Sequence, residues 1–336
     1  IECKDKFIKF LLLNLHKDIP KTYLENFEEI KNKILPLAKN KKIIFSMHSL
    51  TFNDNFKIYL AETKKVGSKF IYVNHGGGLP TIIKPYYNFI DRVADNQIES
   101  YDPLEGFEKK DLHVRLSPTW PITNIKSKKE KIGENCTIVY IEKPKYVIKM
   151  MTGPVFSQSI GVFNEITKFV ESLKPEIKSK VKFRVKQNYS FNSENKFSKL
   201  FGEKSIDQVT SKNPFQKSLF KSKLVIVTYP HTAFSESMRS NIPTMIVIKK
   251  YHWHFSKSAL DTFELLKKYK IAFDNFEDAK IHIDKYWNEL DLWWESDNVQ
   301  SARKKYLELF FNIKPDWYKE WSDFIHTKSI LYKRSI

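Results

Sequence analysis

Short, continuous apolar runs alternate along this chain with stretches whose apolar residues recur every three or four positions. That is the signature of buried parallel strands separated by helices. The clearest unit is KLVIVTYPHTAFSESMRSNIPTMIVI, residues 223–248. Residues 224–227 predict a strand buried on both faces, and Tyr229-Pro230-His231 ends it. Ala233, Phe234 and Met238 are spaced for the inner side of a short helix, with Thr232 as its predicted N-cap and Asn241 as its end. Residues 243–248 predict the next strand. Such a unit leaves the amides of Thr232 to Ser235 free at a positive helix end beyond the strand's carboxyl edge, where open α/β sheets bind anions.

The rest of the chain repeats the theme. Residues 1–40 predict helices, with Leu24, Phe27, Ile30, Ile34 and Leu37 at helical spacing. IIFSMH predicts a buried strand, SLTFNDN a polar loop, and FKIYLAETKKVG a helix stopped by Gly67. KFIYVNHGGG predicts a strand entering a loop that holds Gly76, Gly77 and Gly78, three of the nine glycines. Glycine concentrated there requires a sharp turn or a close approach. RVADNQIESYD and DLHVRLSPTW predict two more short strands, and the charged stretch NIKSKKEKIGEN, residues 124–135, reads as a linker. CTIVYIE opens a second block, followed by a loop broken at Gly153-Pro154, an amphipathic helix, the strand VKFRVKQN and a long polar connection over 188–216. After Ile248 the pattern is mostly helical around a short strand IAF, and six of the seven Trp fall beyond residue 250, which predicts one aromatic cluster of terminal helices. The expected fold class is α/β, with two Rossmann-like domains over 1–133 and 134–310 and a helical segment, 311–336, packing back.

Composition narrows the partners. With 336 residues and 41% hydrophobic content, the chain can form two cores. A net charge of +18 calls for an anionic partner, but the charge is Lys spread over the whole length. The aromatics sit in apolar helical patterns and not in exposed basic strips, so no nucleic-acid partner is expected. Cys3 and Cys136 are far apart with no ligand spacing, which fits a reducing, cytoplasmic setting. No run approaches the roughly 18 apolar residues of a membrane span. Ile1 stands first and no signal-peptide pattern follows, a reading that allows a fragment of a longer protein.

Three stretches carry a more specific signal: FNDNFKIYLAETKKVGSKFIYVNHGGG, KLVIVTYPHTAFSESMRSNIPTMIVI, and LDLWWESDNVQSARKKYLELF with its Trp293-Trp294 and Val299-Gln300. They resemble a family of sugar transferases encoded in O-antigen and surface-polysaccharide gene clusters, over about residues 40 to 325. In the glycine loop this chain has NHGGGLP where the family tends to have Gln before the His and Tyr-Gly after the glycines. The resemblance implies a GT-B-like glycosyltransferase fold, two domains facing a cleft with C-terminal helices crossing back. It also implies a nucleotide-sugar donor in the second domain and a glycan or lipid-linked glycan acceptor in the first.

A departing phosphate must be met by cations, by amides at a helix N-terminus, or by a metal. No DxD lies between apolar strands and no His/Cys cluster has ligand spacing, so a metal-free, cofactor-free route is expected. His231, Thr232 and Ser235 are the expected phosphate ligands, with Glu236 on the ribose. Arg184 and Lys186 share one face at the end of VKFRVK and are expected to join them. Ser157 and Ser159 form a second helix-end anion candidate. For the base that takes the acceptor's proton, the candidates are His75, His48 and Asp54. His252 and His254 read as packing residues. An epimerase or a glycerol-phosphate transferase on the same fold, a nucleic-acid-binding module and an inactive remnant stay open. The basic surface also allows peripheral attachment at the inner face of a membrane.

Overall fold

Residues 4–38 are helical, as their spacing predicts: α1 (Lys6–Asp18), α2 (Lys21–Leu24) and α3 (Phe27–Ile34). Asp5 starts α1 by accepting the amides of Phe7 and Ile8 at 2.8 and 3.1 Å. The structure, a computed structural model, describes residues 4–38, 41–47, 49–74, 76–77, 84–102, 112–118, 133–142, 153–186 and 191–334. His48, His75 and Gly78 lie outside these, as do residues 124–132 of the expected linker.

A four-stranded parallel sheet follows, in the order β1 (Ile43–Ser46), β2 (Lys69–Val73), β3 (Asn96–Glu99), β4 (His113–Arg115). The helices α4 (Ser49–Phe52), α5 (Asp54–Lys65) and α6 (Lys84–Val93) lie between its strands in sequence. SLTFNDN is thus not a plain loop: it forms α4, and Asn53 then caps α5 by accepting the Phe56 amide at 3.0 Å. Nor is IIFSMH fully buried, because β1 is an edge strand and leaves Phe45 39% exposed.

Strand β2 shows how this sheet is covered. Alternate residues point to opposite faces. Phe70 and Tyr72 pack with Ile44, Leu60 and Ile90, while Ile71 and Val73 pack with Ile98, Trp321 and Phe324. The second set brings in residues from the far end of the chain.

The second sheet has five parallel strands in the order β6-β5-β7-β8-β9, from β5 (Asn135–Ile141), β6 (Val181–Lys186), β7 (Ser222–Val227), β8 (Thr244–Val247) and β9 (Ala272–Phe273). Its helices are α7 (Phe156–Ser172), α8 (Pro175–Lys178), α9 (Ser193–Phe201), α10 (Phe215–Phe220), α11 (Thr232–Arg239), α12 (Lys257–Lys268), α13 (Phe276–Tyr286), α14 (Leu290–Trp294) and α15 (Asp297–Phe310). The connection over 188–216 is more ordered than its polarity suggests, since α9 buries Phe197 in a stack with Phe183 at 4.1 Å. Trp253, Trp287, Trp293 and Trp294 belong to this sheet's core. The expected single Trp cluster therefore divides, with Trp321 serving the first sheet.

The final helix, α16 (Trp317–Arg334), crosses back as expected. The Trp321 indole donates to the Ser117 carbonyl at 2.8 Å, and the Ser117 hydroxyl bonds Glu320 at 2.6 Å. Ser100 donates to the Phe310 carbonyl at 2.9 Å, and Arg239 to the Ile313 carbonyl at 3.2 Å. The segment is thus fastened to both halves. The glycine loop meets it: Gly76 has φ 109°, and a side chain on Gly77 would come within 2.2 Å of the Phe311 ring. Among the described residues, no helix is long and apolar enough to cross a membrane.

Candidate functional site

Each sheet has a crevice at its carboxyl edge. In the second sheet, β7 ends at Val227 and the chain turns through Thr228–His231 into α11. The cap is His231 itself, and Thr232 is the first helical residue. The His231 carbonyl accepts the amides of Phe234 and Ser235 at 2.9 and 3.5 Å. Of the four amides expected to be free, two remain without a partner among the described residues, those of Thr232 and Ala233.

Beside this turn lies a narrow crevice of about 20 Å³, lined by Tyr140, Ser159, Tyr229, Lys249, Trp253 and Asp274 among others. The His231 ring stands edge-on to Trp253 with centroids 5.3 Å apart. Ser159 Oγ and Asp274 Oδ1 are buried and have no partner among the described residues. Lys249 is paired with Glu165, which raises its pKa. Burial pushes the Tyr140 and Tyr229 phenols upward, so both stay protonated donors across the physiological range. The Gly153 amide donates to the His252 carbonyl at 3.0 Å, tying the approach to α7 to the loop after β8. Ser159 reaches the crevice, whereas Ser157 points to solvent. Glu236 is only 6% exposed and lies near Tyr229, whose phenol it helps to raise.

Three residues expected at the donor site need correction. Arg184 is 4% exposed, and its guanidinium is already occupied. It donates to Ser218 Oγ at 2.9 Å and the Asn213 carbonyl at 2.8 Å, and it pairs with Asp207 at 3.2 Å. A cation so enclosed holds the α10 connection and not a phosphate. Ser235 is fully buried with its hydroxyl on Tyr306 Oη at 2.5 Å, so it locks α11 to α15. Lys186 ends the edge strand β6 exposed and does not line the crevice. The cation that does, Lys249, was missed in the sequence, although it is the first charge after the apolar run of β8.

Asp54 also lacks the environment of a base. Lys57 at 2.9 Å and the Tyr23 hydroxyl at 2.8 Å hold its carboxylate below its ordinary pKa, which weakens its hold on a proton.

The first sheet's crevice is of similar size, about 20 Å³, and is lined by Val73, Asn74, Gly76, Glu99, Ser117 and Trp321 among others. Glu99 ends β3 and is 2% exposed. The Asn74 amide donates to its Oε2, and its Oε1 has no partner among the described residues. Burial lifts this carboxyl to about 8, with Asn74 and Tyr101 pulling it partly back. Periodicity gave no hint of this residue, because QIES reads as an ordinary strand end. Among the described residues, no group of three or more His, Cys, Asp or Glu side chains is placed to hold a metal ion.

Similarity to solved structures lies in the fold. The wall teichoic acid polymerase TagF superposes with a TM-score of 0.50 at 11% identity, covering 99% of this chain and 100% of that one. Anabaena HepE in complex with UDP-glucose gives 0.52 at 11%, covering 92% and 84%. A mutant of S. aureus TarM in complex with fondaparinux, alpha-GlcNAc-glycerol and UDP gives 0.51 at 15%, covering 88% of this chain and 57% of that one. This chain therefore has the GT-B arrangement of two facing α/β halves, and it spans little more than half the length of TarM. No curated protein matches it by sequence. A model of the LIC12162 family transferases matches residues 1–325, and with nearly the whole chain covered, the protein belongs to that family.

Proposed function

We propose that this transferase moves a sugar from a nucleotide-activated donor to a glycan acceptor of the surface-polysaccharide type, O-antigen or capsule, without a metal ion. The observation that carries the reading is the crevice at the carboxyl edge of the second sheet. The amides of Thr232 and Ala233 stand at the turn beside it, and the unpartnered Ser159 hydroxyl and Lys249 line it. Helix-end amides with a nearby cation match the needs of a diphosphate leaving group. HepE with UDP-glucose and TarM with UDP, on the same fold, support this choice of donor class.

In this reading residues 134–310 hold the donor, 1–133 present the acceptor, and 311–336 brace the two. His231 and the first amides of α11 meet the phosphates, Glu236 meets the ribose, and Ser159, with Ser157 at the same helix end, offers a second anion position. The net charge of +18 supports peripheral attachment to the anionic inner face of a membrane, with the enzyme in the cytoplasm.

A thermal-shift series with UDP, GDP, CMP and dTDP tests the proposal. Binding to the folded state alone raises stability by about 2.7 kcal/mol at a ligand concentration of 100 times Kd. One nucleotide is expected to raise Tm by several degrees while the others do little. A flat response to all four would end the donor assignment.

A further inference from the structure

We infer that Glu99 is the base that receives the acceptor's proton, and that the crevice it lines takes the acceptor hydroxyl; the inference rests on the glycosyltransferase reading above. The geometry is specific. Glu99 closes β3, where the carboxyl edge of the first sheet holds a narrow crevice of about 20 Å³, room for a group the size of one hydroxyl. One carboxyl oxygen, Oε2, is held by Asn74, which sits just past the end of β2. The other, Oε1, is buried without a partner among the described residues. A buried acceptor is normally satisfied, and one left open at the wall of a cavity points to a ligand that completes it.

The cavity supplies what a sugar hydroxyl needs. Asn74 anchors Oε2, and Glu99 lines the crevice together with Asn74, Ser117 and Trp321. The Trp321 indole, held by its bond to the Ser117 carbonyl at 2.8 Å, forms part of the apolar wall of the crevice. Gly76 leaves the opposite side free of side chain. The incoming hydroxyl donates to Oε1. As its oxygen forms a bond to the donor's anomeric carbon, the bond from that carbon to the phosphate oxygen breaks. The nucleotide leaves with the electron pair, and the proton passes to Glu99.

A base works best with a pKa near the working pH, and burial supplies that here by lifting Glu99 to about 8. The groups around it are few. Tyr101, two residues on, hydrogen-bonds the carboxyl, and Arg115, the β4 partner of Glu99, is engaged by Asp102 at 2.9 Å. Asp91 and His113 stand two residues back on the same sheet face, around Gln97. Glu320, paired with Lys314, reaches Ser117 from α16.

The test uses the whole chain with the nucleotide-sugar found by the thermal-shift series, and it follows nucleotide release with water or a glycan as acceptor. Glu99→Gln keeps the shape and removes the base. It is expected to lower turnover by about 10²–10⁴-fold, the usual share of general-base catalysis, while the nucleotide-induced Tm shift is unchanged. Wild-type kcat/KM is expected to rise with pH, to be half-maximal near 8 and to level off above it, and this limb is expected to vanish in the variant. If Glu99→Gln binds nucleotide and turns over within threefold of wild type, or keeps the same pH profile, the inference is overturned. Failure of the wild-type chain to bind any nucleotide overturns instead the reading on which it rests.

Discussion

Two buried glutamates occupy matching places in the two halves and end in opposite states. Glu142 directly follows β5 in the second sheet and is 1% exposed. It accepts the amides of Phe191, Asn192 and Ser193 at 2.9, 3.3 and 2.8 Å, and the Ser193 hydroxyl at 2.8 Å. Every donor near it is used to fix the turn into α9, including Asn192 at φ 55°. Glu99 closes β3 in the first sheet, about as buried, with one oxygen unpaired among the described residues and a narrow crevice beside it. Burial alone does not separate the two residues. The number of donors the fold supplies does: a saturated carboxylate is a brace, and an unsaturated one is chemistry in waiting.

The contrast predicts a graded series. Glu142→Ala leaves three amides and a hydroxyl stranded at roughly 1–3 kcal/mol each, so the loss in stability is expected to be about 4 kcal/mol or more by denaturant unfolding. A loss under about 1 kcal/mol would show that water replaces the brace.

The effect at Glu99 depends on pH and has the opposite sign. The unfolded side chain ionises near 4.5, whereas the folded one holds its proton to about 8. Between those values the folded state carries the extra proton, so stability falls as pH rises, by about 1.4 kcal/mol per pH unit, and levels off above 8. Glu99→Gln is expected to flatten this dependence and to melt above wild type at pH 9. Parallel curves for the two proteins would mean that Glu99 is already ionised in the folded state.

The smallest effect belongs to Ser235. Among the described residues its hydroxyl bonds Tyr306 alone, so Ser235→Ala is expected to cost about 1 kcal/mol and to leave the nucleotide-induced Tm shift intact. Loss of that shift would return Ser235 to the phosphate site.

Much of the architecture was legible in the residues. The apolar run of β7, the turn at Tyr229-Pro230-His231, the helix spacing of Ala233, Phe234 and Met238, and the stop at Asn241 with φ 54° are local facts, and the folded chain keeps them. The glycine loop calls for a sharp turn or a close approach, and the folded chain shows both, with Gly76 at φ 109° and Phe311 against Gly77. Of the candidate site, the turn before α11 and Ser159 near the start of α7 can be named from the residues, because a helix start after a buried strand or a Gly-Pro break announces itself. Lys249 and Glu99 were not, since neither lies in a motif.

The sequence by itself determined which segments are strands and helices, because two-residue and 3.6-residue periods are written into neighbouring positions. Only the tertiary structure decided which polar groups are spent and which are left over. Arg184 meets Ser218 across 34 residues, Ser235 meets Tyr306 across 71, and Ser117 meets Glu320 across 203. Such pairings depend on how the sheets and the returning helix pack, and no local pattern encodes them. The residues left unpaired at the crevice walls are what that packing leaves free for a ligand.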